Sequence, residues 1–128
     1  MSNPNGRKGS EWETACLDAL LPLFPYAYRR RQQGAVDKGD FGHTGDFCIE
    51  AKNVQSIDLP GFLREAEREA ENADARWPVV FVKQRGKAPA SEGYAVMRVG
   101  TFLDLVDDYL LSGAGPPEEN PMTQEDDR

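Results

Sequence analysis

The stretch Gly39-Asp40-Phe41-Gly42-His43-Thr44-Gly45-Asp46-Phe47-Cys48-Ile49-Glu50-Ala51-Lys52 decides how this chain folds. Over residues 46–52, Phe47, Ile49 and Ala51 share one parity while Asp46, Cys48, Glu50 and Lys52 share the other. That period of two belongs to a strand with one core face and one polar face. The short link His43-Thr44-Gly45 joins it to residues 39–42, and a glycine in so tight a connection predicts a hairpin. Residues two apart on a strand project to the same side, about 6.5–7 Å along it. Glu50 and Lys52 are thereby presented together, with Asp40 within a residue or two of facing Glu50.

Upstream, Trp12, Ala15, Cys16, Ala19, Leu20 and Leu23 recur at three- and four-residue steps, predicting an amphipathic helix. Ser10 reads as its N-cap, and Pro22 and Pro25 end it. Residues 26–31 resemble a short strand, and residues 32–38 a loop around Gly34. Downstream, Asp58 caps a helix with Pro60 in its first turn, running to about residue 74. Its stripe of Phe62, Leu63, Ala66, Ala70 and Ala73 is narrow and small, which suits close packing on a sheet. Residues 77–82 form a continuous apolar strand, expected at the centre, and residues 93–99 another. Thr101 caps a last helix to about residue 111, with Asp104 completing a capping box. The order α-β-β-β-α-β-β-α predicts an α/β fold, a mixed central β-sheet flanked by helices.

A length of 128 residues suits a single domain. It is expected over residues 10–112, between a loose leader at 1–9 and a tail at 113–128. The tail's Pro, Gly and acidic composition predicts disorder, either as a solubiliser or as a DNA-mimicking or partner-binding segment. Apolar residues at 39% and charged residues at 29% are ordinary for a globular protein, so the bulk of the chain should fold. No run approaches the roughly 20 apolar residues that span a bilayer, and residues 1–8 lack the apolar core of a secretory signal. A cytoplasmic protein with no membrane partner is expected. Cys16 and Cys48 lack metal-binding spacing and read as buried, reduced thiols. His43 is the sole histidine, so it cannot build a histidine-based metal site alone and no Ser/His/Asp arrangement can be assembled without it, which removes much of the hydrolase repertoire.

The net charge of −7 argues against a nucleic-acid partner until its distribution is considered. The tail holds Glu118, Glu119, Glu125, Asp126 and Asp127 against Arg128 alone, which is −4 of the total and leaves −3 for the body. Within the body, Arg29, Arg30, Arg31 and Lys38 form one basic segment, and Lys83, Arg85 and Lys87 form another.

A Glu-x-Lys tripeptide is common, arising by chance in about one chain of this length in two, so its position carries the weight. Two carboxylates converging at a strand edge repel unless a cation lies between them, and such hard oxygen ligands select Mg²⁺ or Mn²⁺. Asp40 and Glu50 are the leading pair, with Asp37 and Asp46 as rivals to Asp40. Glu13 is the third acidic candidate, although Ser10-Glu11-Trp12-Glu13 also fits a capping box.

Arg7-Lys8-Gly9-Ser10-Glu11-Trp12-Glu13, then Gly39-Asp40-Phe41, then Ile49-Glu50-Ala51-Lys52 resembles the motif series of Holliday-junction resolvases of the archaeal and phage type, within the PD-(D/E)xK nuclease superfamily. That family places a glutamate four residues after a basic-Gly start, an aspartate on a strand, and E-x-K on the next. The likeness runs from about residue 7 to residue 111. Asp40 precedes Glu50 by less than in the archaeal members, which keeps Asp37 open as the ligand. The resemblance implies a restriction-endonuclease-like fold and a Mg²⁺-dependent endonuclease, with Mn²⁺ as substitute. Glu13, Asp40, Glu50 and the Ala51 carbonyl would hold the metal, and Lys52 would stand beside the attacking water. Arg7, Lys8, Arg29, Arg30, Arg31 and Lys38 would hold branched or duplex DNA, and residues 34–38 would form a mobile loop over it. The three arginines also fit a charged strand edge that discourages pairing. Paired incision implies a homodimer, through the second helix or the Trp77 strand, and small size together with the resemblance points to a phage. The alternatives are another nuclease of the superfamily, of restriction or repair type, a non-catalytic DNA-binding protein on the same fold, or an interaction module working through the tail.

Overall fold

The computed structural model describes residues 4–31 and 36–114. Of the expected mobile loop at 34–38, residues 34 and 35 lie outside the described residues, as does nearly all of the expected tail. The elements are α1 (Pro4–Leu20), β1 (Tyr28–Arg29), β2 (Phe41–Gly42), β3 (Phe47–Lys52), α2 (Leu59–Ala73), β4 (Trp77–Val82), β5 (Tyr94–Val96) and α3 (Val99–Tyr109). The architecture is mixed α/β. The chain divides into two compact units, Met1–Arg98 and Val99–Arg128. The first carries every described strand with α1 and α2; the second carries α3 and a wide final turn, Leu110–Ala114, where Gly113 at φ 97° leaves the helical range.

In the first unit β3 and β4 run parallel, from Phe47 opposite Trp77 to Lys52 opposite Val82. A parallel pair requires a crossover, and α2 supplies it. β5 returns antiparallel on β4, with Val80 opposite Val96, giving a mixed three-stranded sheet in the order β3-β4-β5. Both ends of α2 are tied off. The Asp58 side chain accepts from the Gly61 N–H at 3.1 Å, and Asp74, in the left-handed conformation, donates its N–H to the Ala70 and Glu71 carbonyls.

Parity on β3 divides the core in two. Ile49 joins Trp12, Cys16, Leu20, Phe41 and Val79 on the α1 side, while Ala66 of α2 packs against Val80 and Val82 on the other. The small side chains Ala66 and Ala70 let α2 approach closely enough to cover that second face. The expected polar face of β3 is therefore not a solvent face: Cys48 and Glu50 are only 2% and 4% exposed. Trp77, Val79, Val80 and Val82 are buried likewise, with β3 along the whole of β4 and β5 beside Val80–Val82, which removes the Trp77 strand as a dimer surface.

Three local expectations change. α1 starts at Pro4, so residues 4–9 are helical rather than a loose leader, and Ser10 lies inside the helix, where its carbonyl accepts from Thr14 Oγ1 at 3.0 Å. Pro4 sits where a proline's missing N–H costs nothing, and Gly6 and Gly9 weaken a helix without ending it. Glu13 is thus no capping residue. The hairpin is not a continuous ladder: β2 pairs with β1, Arg29 opposite Phe41, and meets β3 through the Asp40 N–H to the Ile49 carbonyl at 3.1 Å. Thr101 lies within α3, which begins two residues earlier.

Gly39 makes the approach of β2 to β3 possible. It has φ 97°, and a Cβ there would stand 2.9 Å from Cys48 Sγ. Trp12 locks α1 onto the sheet: it is 2% exposed, and its Nε1 donates to the Phe81 carbonyl at 3.0 Å. Trp12→Ala is expected to lose about 3–5 kcal/mol of unfolding free energy, read from the urea midpoint at unchanged slope. A loss under about 1 kcal/mol would mean that α1 does not depend on this contact.

Candidate metal centre

β3 delivers Glu50 and Lys52 onto the face covered by α2, and α2 meets them with Glu65 and Glu69, one helical turn apart. Lys52 Nζ lies 2.5 Å from Glu65 Oε1 and 3.7 Å from Glu50 Oε2, above the Phe62 ring at 5.4 Å from its centre. The Glu50 carboxyl faces that of Glu69, and Glu69 faces Asp37, each pair placed so that a proton could be shared between them. Oε1 of Glu50 and Oε1 of Glu69 nevertheless have no hydrogen-bond partner among the described residues. Carboxylate oxygens of Asp37, Glu50 and Glu69 all lie within 4.8 Å of one another.

Asp40 stands at the edge of this group. Its Oδ2 accepts from the Ala51 N–H at 2.7 Å, which fixes the carboxylate beside the Glu50-Ala51-Lys52 turn of the strand. Burial pushes Glu50 far above the usual carboxylate range; Glu69 and Asp40 add to this, and Lys52 opposes it. Glu69 is raised to about 7 and Asp40 to about 6, in both cases chiefly by burial, with the Ala51 N–H pulling Asp40 back and Glu13 pushing it further up. For Lys52, burial works against its charge, but Glu65, Glu50 and Asp40 outweigh it and hold the ammonium above its ordinary value. Lys52 is a fixed cation. Cys16 and Cys48 are free and buried, each thiol pushed up to about 12 by burial first.

Buried carboxylates with orphaned oxygens must take up protons or a cation. The donor set is all oxygen, which fits a hard divalent ion of the Mg²⁺ or Mn²⁺ type. Glu13, Asp40, Glu50 and Lys52 feel one another's charge, Asp40 acting on Glu50 and Glu13 and Lys52 acting on Asp40. The expected metal set Glu13, Asp40 and Glu50 is, however, not gathered within 4.8 Å as Asp37, Glu50 and Glu69 are. Glu13 lies on α1 and pairs with Arg29 Nη2 at 3.4 Å. Ala51, expected to offer its carbonyl, gives its N–H to Asp40. Asp37, the rival to Asp40, belongs to the tightest set. Asp46 is exposed at the far end of β3, its carbonyl accepting from the Arg76 and Trp77 N–H groups at 2.9 Å each. Glu65 and Glu69 were not anticipated. Their four-residue spacing beside the Ala66–Ala70 stripe was the available signal.

Of the expected phosphate-binding groups, Arg29 reaches back to α1, where Nη1 donates to Ser10 Oγ and Thr14 Oγ1 at 3.2 and 3.3 Å. Arg30 donates from Nε to the Phe41 carbonyl at 3.1 Å. Arg31 and Lys38 are exposed. Arg29, Arg30, Arg31 and Lys38 line an open depression of about 450 Å³ together with Asp37. Arg7 and Lys8 fall in the opening turns of α1, their side chains outside the described residues. A second depression, of about 920 Å³, lies where Lys83 and Arg85 approach Asn53 and Gln55, just beyond Lys52. No helix among the described residues is long and apolar enough to cross a membrane. No protein family, no curated protein and no solved structure matches this chain.

Proposed function

We propose that this protein is a metal-dependent DNA endonuclease of the PD-(D/E)xK kind with a restriction-endonuclease-like core, acting on four-way junctions as a Holliday-junction resolvase. The observation that carries the reading is the placement of Glu50. It is a buried carboxylate with an orphaned oxygen, on a strand whose next-but-one residue is the fixed cation Lys52 and whose intervening N–H anchors Asp40. Neither a surface ion pair nor an ordinary core requires that arrangement.

Glu13, Asp40, Glu50 and the Ala51 carbonyl would hold Mg²⁺, or Mn²⁺ in its place. When bound, the ion lowers the pKa of water and neutralises charge on phosphate oxygens, so no histidine is needed. Lys52, held charged, serves as an electrostatic partner to developing negative charge rather than as a base that removes a proton. Glu65 positions it. Arg31 and Lys38, with Arg29 and Arg30 behind them, offer phosphate contacts on one side of Lys52, and Lys83 and Arg85 offer them on the other. Paired nicks require two active sites and hence a C2 dimer acting in the cytoplasm, the host's if the protein is phage-encoded.

The test is cleavage of a labelled synthetic four-way junction beside a linear duplex of equal length, with Mg²⁺ or with EDTA. Paired Mg²⁺-dependent nicks in the junction alone are expected. Cleavage of both substrates would retain the nuclease and discard junction selectivity. No cleavage of either by folded protein, with Mg²⁺ or Mn²⁺, would leave a DNA-binding protein.

A further inference from the structure

The Glu13, Asp40 and Glu50 set does not account for Glu69. A glutamate 2% exposed on the inner face of α2, with one oxygen unpartnered, is costly in a protein that needs only a helix packed on a sheet. An alanine or leucine would serve packing better. Any two ligands of one ion can be no further apart than twice the metal–oxygen distance, about 4–5 Å for Mg²⁺ or Ca²⁺. Asp37, Glu50 and Glu69 meet that limit, with carboxylate oxygens all within 4.8 Å of one another. Two of the three are more than nine-tenths buried, and each of those two has an orphaned oxygen. The nearby cation is already engaged: Lys52 stands 3.7 Å from Glu50 but 2.5 Å from Glu65.

We infer that Asp37, Glu50 and Glu69 form a second divalent-cation site on the α2 side of β3, sharing Glu50 with the site proposed above from Glu13, Asp40 and Glu50. The inference rests on the nuclease reading only for the existence of that other site. The two sites draw on different helices, Glu13 from α1 and Glu69 from α2, and these pack on opposite faces of the sheet. Asp37 lies four residues before the start of β2, where its Oδ1 also accepts from the Gly39 N–H at 2.9 Å. An ion in the second site would therefore tie the segment before β2 to α2, beside the depression lined by Arg31 and Lys38.

The experiment counts Mn²⁺ bound to the full-length protein without DNA, by the loss of the free-ion paramagnetic resonance signal, for wild type, Glu69→Gln, Asp37→Asn and Glu13→Gln. Substituting even an outer partner of a metal ligand weakens affinity about 10–100-fold, so loss of a direct ligand is expected to weaken its site by more than about 100-fold. Wild type should bind two ions per chain, and each variant one. Glu69→Gln keeps the side-chain shape and leaves an amide that can donate to Glu50. If Glu69 is merely a buried partner of Glu50, that variant and Asp37→Asn will bind as wild type does, and the inference falls. If Glu69→Gln fails to fold, Asp37→Asn, on a half-buried segment outside helix and strand, decides alone. One ion in wild type, lost in Glu13→Gln and untouched by Glu69→Gln, overturns the second site and leaves the nuclease reading intact. No ion in wild type removes both.

Discussion

Glu50→Gln is expected to abolish Mg²⁺-dependent junction cleavage, a loss of at least about 10³-fold in single-turnover rate, while the protein stays folded and at least as heat-stable in EDTA as wild type. Both halves follow from one placement. Glu50 is 4% exposed, and in the metal-free protein its carboxyl retains a proton well above the usual range, so the amide closely imitates the form already present. Folding loses little. The amide cannot carry the negative charge that holds a divalent ion, and a charge-stabilising contact to a reacting phosphate accounts for several kcal/mol, about tenfold in rate for each 1.36 kcal/mol. Lys52→Ala is expected to cost about 10²–10³-fold while Mn²⁺ still binds, because it removes a fixed cation and no ligand. Cleavage by Glu50→Gln within tenfold of wild type would mean that the reaction is carried out elsewhere.

Legibility in the sequence followed the range of the forces involved. The β3 alternation, the Asp58 cap with Pro60, and the apolar run Trp77–Val82 are local signals, and the elements formed where those signals stood. The ends of α1 and α3 were misplaced because Ser10 and Thr101 have the chemistry of caps but no backbone need to act as caps once the preceding residues are helical. The bareness of one β3 face could not be judged from β3 itself. Alternation reports which residues share a side, whereas burial depends on what lands there, and α2 landed on the Cys48–Glu50 side. The same blind spot hid Glu69. On a helix wheel it borders the Ala66–Ala70 stripe and reads as the rim of the polar face, and only the parallel register of β3 on β4 brings Glu50 beneath it. Asp40 could be singled out because it lies just before the Glu50 strand in the chain, and Glu13 because it falls four residues after Gly9 in the resolvase-like motif series.

Metal-free protein is expected to lose thermal stability as pH rises from about 5 to 8, and Mg²⁺ is expected to cancel most of that loss. In the unfolded chain Glu50 and Glu69 ionise near their ordinary value of 4.5 and Asp40 near 3.8. In the folded protein all three hold their protons to higher pH, Asp40 to about 6, Glu69 to about 7 and Glu50 beyond neutrality, with burial the leading cause for each. Carboxyls whose folded values are raised contribute stability that is fully present below the unfolded values. That stability drains away as pH climbs toward the folded ones, because unfolding then releases protons. Each retained proton corresponds to about 1.4 kcal/mol per pH unit. For a unit of about 100 residues that is a fall in Tm of roughly 5–10 °C per pH unit. The slope should be steepest between pH 5 and 6, where all three groups contribute, and gentler above pH 7, where Glu50 alone remains. A bound divalent ion replaces those protons, so its affinity rises with pH as the protons leave. Melting curves in EDTA and in excess Mg²⁺ across pH 5–8 read both effects. A Tm in EDTA that stays level or rises over that range would mean that the carboxyls are ionised in the folded protein and balanced by groups other than a metal. Glu50→Gln should flatten the upper part of the curve and remove most of the Mg²⁺ response.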